Sequence, residues 1–165
     1  MRIRFRFVAL FAVLVILAIA APAQAPQTPR FIAGHTYSLT ASPAYFTLQL
    51  PANSPKRIYL IAASVECQEA CTVAQDMNGN AAETDEITAT RISGATFTPT
   101  LDVYAPSNAG FGANLSTLTV PAETPYPLDL SSVTLEQLKS TVQTYNIRTS
   151  AVTGTARIYV IWAEQ

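Results

Sequence analysis

Short runs rich in Val, Ile, Thr, Tyr and Phe alternate along the chain with clusters of Pro, Gly, Asn and Ser. Such runs suit a pleated, half-buried surface, and the clusters between them read as turns. The pattern predicts strands at Tyr37–Leu39, Ala44–Leu50, Arg57–Val65, Thr72–Met77, Glu86–Ile92, Phe97–Tyr104, Leu115–Val120, Gln143–Arg148 and Thr155–Trp162. Strand starts recurring about every 8 to 15 residues, with one longer gap, point to an all-β fold rather than βαβ units, an antiparallel sandwich of about eight or nine short strands. On the last strand Trp162 alternates with Ile158 and Val160, which assigns it to the core.

One segment departs from this period. Ser132–Val142 places Leu135, Leu138 and Val142 at helical spacing, and Thr134 with Gln137 forms a capping box, so one short helix is expected over an end of the sandwich. Asn78-Gly79 lies between two strand-like runs, and both residues tolerate positive φ, which predicts a tight hairpin there.

The N-terminus has a different character. Arginines alternate through MRIRFRF, an apolar run follows from Phe7 to Ala21, and Ala21-Pro22-Ala23 offers a small-x-small cleavage site. This is the layout of a secretory signal peptide. The rival reading is an uncleaved anchor, but a spanning helix needs about 20 apolar residues. The expected organisation is a signal peptide at 1–23, a Pro- and Gln-rich extended tether at 24–34, and a single β-sandwich domain at 35–165. The expected location is secreted, periplasmic or at the cell surface, with membrane contact only through the N-terminal segment if it is kept.

Loss of the leader changes the charge. The full chain has ten Lys and Arg against eleven Asp and Glu, and removing Arg2, Arg4 and Arg6 leaves a formal −4. No basic cluster remains to neutralise a phosphate backbone, which argues against nucleic acid as a partner.

Compartment sets what the only two cysteines do. Cys67 and Cys71 are separated by Gln68-Glu69-Ala70. On a straight strand their Cα atoms would stand about 13 Å apart, too far for a disulfide, so pairing requires the chain to turn. An oxidising compartment favours the pair as a local staple. Two sharper readings stand beside it. A redox couple would ordinarily use a two-residue spacer in an α/β fold, and a soft-metal site could recruit His35 and Met77.

Asp76-x-Asn78-x-Asn80 begins like a calcium loop, but Ala81 holds the position that needs glycine and Ile87 the one that needs a bidentate carboxylate. His35 is the only histidine and no Gly-x-Ser-x-Gly elbow accompanies it. Glu66 with Glu69, or Asp85 with Glu86, are glycosidase pairs by residue type alone. No cofactor motif, catalytic constellation or metal cluster stands out, and the expected protein is not an enzyme.

Aromatics in or beside loops remain: Tyr45, Tyr104, Phe111 and Tyr126. They can close the ends of the core, anchor a subunit interface, or form a platform whose ring faces meet sugar C–H groups. Tyr104, Phe111 and Tyr126 are the candidate ligand contacts, with APSNAGFGAN (105–114) the most exposed loop.

ECQEACTV, the NGN turn, YAPSNAGFGANLSTLTVPA, LDLSSVTL and YNIRTSAVTGTARIYVIWAE together resemble small jelly-roll-like structural proteins encoded in phage and prophage genomes. The resemblance implies a surface-displayed or virion-type sandwich that works as an oligomer. The leader departs from a virion protein, which assembles in the cytoplasm. The expectation is therefore an exported, non-enzymatic β-sandwich with a structural or adhesion role, a homo-oligomer such as a trimer. The alternative is a carbohydrate-binding module with a glycan or cell-surface partner.

Overall fold

The computed structural model describes residues 27–79, 85–94, 96, 98–106 and 112–165. The leader, Phe97, Phe111 and the stretch from Asn80 to Thr84 lie outside the described residues. Among the described residues ten strands run in order: β1 Arg30–Ser42, β2 Tyr45–Leu50, β3 Ile58–Cys67, β4 Cys71–Met77, β5 Thr90–Ser93, β6 Asp102–Tyr104, β7 Ala113–Val120, β8 Tyr126–Pro127, β9 Gln143–Thr149 and β10 Val152–Glu164.

They form two antiparallel sheets of five strands each, ordered β5-β1-β10-β3-β8 and β6-β2-β9-β4-β7. Pairing is nested: β1 with β10, β2 with β9, β3 with β8 and β4 with β7. Strands β5 and β6 fall between β4 and β7 in the chain and extend one edge of each sheet. This connectivity sorts the loops. The turns at 43–44, 68–70, 121–125 and 150–151 gather at one end, while the start of β1, the end of β10 and the connections at 51–57 and 128–142 share the other.

Inward positions follow the two-residue period. Phe46, Leu48, Tyr145, Ile147 and Val73 from the second sheet face Phe31, Val65, Ile158, Val160 and Trp162 from the first. Phe31 stacks on Trp162 with ring centroids 5.6 Å apart. That contact corrects the tether: β1 starts at Arg30, so the stretch predicted as loose enters the sheet within 24–34.

A carboxylate closes the core at the end where β1 begins and β10 stops. Glu164 is buried, and its oxygens accept from the Thr100 N–H at 3.0 Å, the Leu101 N–H at 3.2 Å and the Trp162 indole N–H at 3.0 Å. Three donors compensate its lost hydration.

The predicted helix is absent: among the described residues there is none. Leu135 is buried and bridges Ile58, but Leu138 is 65% exposed with φ +56°, and Val142 is 50% exposed. Backbone groups of this stretch bond outward, Leu138 N–H to Ser54 O and Asn53 N–H to Lys139 O, rather than along a helix. The Gln143 side chain holds both backbone groups of Glu136 at 2.7–2.8 Å. The hairpin is also corrected. Asn78 does take positive φ, at +58°, but β4 pairs with β7 and β9, and Asn78 N–H donates to Thr144 O.

Candidate functional site

Cys67 and Cys71 are joined as a disulfide across a Cα separation of 6.4 Å. Cys67 ends β3 in the first sheet and Cys71 begins β4 in the second, so the bond staples a corner between sheets rather than a hairpin within one. Both residues are buried, and each sulfur is committed to the other. Gln68 N–H donates to Thr155 O and Glu123 N–H to Cys67 O, fixing the same corner. His35 stands on β1, exposed and edge-on to Tyr37 at 4.6 Å. Among the described residues no group of three or more His, Cys, Asp or Glu could hold a metal ion.

Of the three aromatic contacts expected from sequence, the two among the described residues stand on different sheets. Tyr104 lies on β6 at the edge of the second sheet, Tyr126 lies on β8 at the edge of the first, and Phe111 lies outside the described residues.

Tyr104 does belong to a row of side chains on the outer face of the second sheet. Cross-strand pairing aligns Asn114, Asp76, Asn146, Thr47 and Tyr104. Thr47 Oγ donates to Asn146 Oδ1 at 2.8 Å, while Asn146 Nδ2 is buried without a partner among the described residues. Burial raises the Asp76 carboxyl above its ordinary range, and the nearby Arg148 guanidinium acts against this. Asp76 of the tentative calcium motif therefore sits inside β4, not in a loop.

The outer face of the first sheet departs furthest from expectation. Outward positions of an antiparallel sandwich are normally polar. Here Tyr59, Ile61 and Tyr159 are 39%, 45% and 41% exposed, with Ile32 and Ile161 half-buried beside them. A bulge in β3 at Ile61, opposite Ile161/Trp162, turns both Ile61 and Ala62 outward. Gly34 pairs with Tyr159, whose ring lies over it: a Cβ at Gly34 would fall 2.2 Å from Tyr159 Cδ1. Arg57 holds its guanidinium 5.2 Å from the centre of the Tyr59 ring. Beside this pair a cleft of about 460 Å³ opens against the 133–137 segment, with Thr134 and Gln137 on its far wall. At the other end of the face Arg157 meets Glu66 at 3.8 Å.

Sequence reasoning assigned these residues to strands without seeing the face. A signal was present: Tyr59-Leu60-Ile61 and Tyr159-Val160-Ile161 are apolar at both parities, which marks strands with two apolar faces.

Comparison with protein-family models, curated proteins and solved structures finds no match to this chain.

Proposed function

We propose that the protein is an exported, non-enzymatic β-sandwich with jelly-roll connectivity, serving as a structural or adhesion module that engages its partner through the outer face of the first sheet. The observation that carries this is the exposed Tyr59, Ile61 and Tyr159 set on a sheet face where water-facing residues are expected. Nested strand pairing supports the jelly-roll reading. The Cys67–Cys71 disulfide fits an oxidising compartment, and with it the signal peptide at 1–23 and an extracytoplasmic location.

The test is attachment. Beads coated with the protein should adhere to cell-envelope polysaccharide preparations, and beads carrying the Ile61→Asp/Tyr159→Asp variant should not. Equal attachment by both would remove the face from the mechanism.

The carbohydrate-binding reading is favoured by one further observation, the Tyr59 ring standing over a polar cleft with Arg57 and Gln137. It no longer rests on a joint platform of Tyr104, Phe111 and Tyr126.

A further inference from the structure

We infer that the occupant of this face is an anionic polysaccharide, whose acidic groups meet Arg57 and Arg30 while its sugar rings lie on Tyr59 and continue along Ile61 and Tyr159. This rests on the adhesion reading and adds the class of ligand.

Three observations converge on Tyr59. The first is charge. The chain as a whole carries an excess of acid, yet Arg30, Arg57 and Arg157 share one sheet face. Around Tyr59 the pairing row runs Arg30, Ala163, Tyr59, and Arg57 precedes Tyr59 by two residues on the same side. The acidic groups of this face, Glu66 and the nearby Glu123, gather at the opposite end beside Arg157. Glu136 is the one carboxylate lining the cleft, and Lys139 holds it at 2.8 Å. The end around Tyr59 is thus locally basic in an acidic protein.

The second is shape. Tyr59, Ile61 and Tyr159 follow a diagonal over β3 and β10, which gives an extended, shallow track with the cleft at one end. A shallow track suits a linear polymer better than a small enclosed ligand. The third is residue type. An arginine fork matches a carboxylate or sulfate in two parallel hydrogen bonds, and a tyrosine face takes the apolar side of a sugar ring.

A second copy of the chain fits less well. From Arg57 to Glu66 the face is about 27 Å long and five strands make it about 19 Å wide, a projected area on the order of 500 Å². Stable interfaces bury about 800 Å² per partner. An anionic lipid surface would be met by apolar groups free to insert, whereas the Tyr159 ring is laid over Gly34.

Affinity electrophoresis of the purified protein through gels containing polygalacturonate tests the proposal, with methyl-esterified polygalacturonate as the same backbone without its charge. The protein should be retarded by the acid form and much less by the ester. Arg57→Gln and Tyr59→Ala should each weaken retardation about tenfold or more, Tyr59→Phe should preserve it, and Arg148→Gln, which removes the same charge from the second sheet, should match wild type. Unchanged urea midpoints keep a loss of binding separate from a loss of folding.

Equal retention by acid and ester, an Arg57→Gln variant that binds as wild type, or capture only by phosphatidylglycerol vesicles would each overturn it. So would a dimer dissolved by Ile61→Asp with no retardation on either gel. If beads still attach through the face while polygalacturonate is ignored, the ligand class falls and the adhesion surface stands.

Discussion

Replacing Glu164 by alanine is the sharpest test of how the sandwich is closed. The side chain is buried, and its two oxygens take the N–H groups of Thr100, Leu101 and Trp162. Truncation leaves those three donors without an acceptor in a site shaped around one. A buried group left unsatisfied costs about 1–3 kcal/mol, but the 98–101 segment can shift and admit water, so the three do not add in full. The expected loss is about 3–5 kcal/mol, a large share of the roughly 5–15 kcal/mol available to a domain. Glu164→Gln keeps one acceptor and turns a donor toward an N–H, so its expected cost is about 1–2 kcal/mol. Trp162, the single tryptophan, is buried next to the site and reports unfolding directly by fluorescence. With a urea slope of about 1–3 kcal/mol per molar, the alanine variant should lose at least about 1 M in midpoint, and glutamine should fall between. An alanine variant with an unchanged midpoint would refute the reasoning.

Three further outcomes follow from the geometry. Serine at Cys67 and Cys71 should cost only about 2 kcal/mol, as expected for so small a ring; urea melts with and without reductant measure this, and thiol titration of unfolded, unreduced protein should find no free sulfhydryl. Asp76 has a raised carboxyl, so its ionisation opposes folding: the penalty is absent below the ordinary carboxyl pKa of about 3.9 and complete once pH exceeds the folded value. Asp76→Asn should therefore gain more stability relative to wild type at about pH 7 than at about pH 3, and a gain independent of pH would contradict it. Gly154 has φ +94°, and an added Cβ would stand 2.2 Å from Gln68 Oε1, so Gly154→Ala should cost about 1–3 kcal/mol by calorimetry.

Much of the fold was legible because burial on one side imposes the two-residue period. AYFTLQL, RIYLIAASV and TARIYVIW became β2, β3 and β10 with ends shifted by a few residues. Misreadings arose where tertiary bonds outweighed local preference. The Leu135, Leu138 and Val142 spacing had helical form, but loop 51–57 takes the backbone groups a helix would use. Asn78 adopted the conformation its side chain tolerates, yet its N–H found Thr144 rather than a neighbouring hairpin strand. Tyr126–Pro127 escaped notice because proline hides a strand, and it is found at an edge, where its missing donor is harmless. For the candidate face, the residue types were visible but their convergence was not. Arg30, Arg57 and Tyr159 are far apart in the chain and become neighbours only through the β1·β10·β3 register.

Strand β10 lies in the middle of its sheet, between β1 and β3, although every other strand precedes it in the chain. Neither neighbour can complete its ladder, and Phe31 has no ring to stack on, until those last residues arrive. Closure of such distant segments is slow, so the first sheet forms only once Arg30–Ser42 and Val152–Glu164 have met. A fragment that stops short of β10 would be left with the β5·β1 and β3·β8 pairs of the first sheet unjoined and with no centre to hold them.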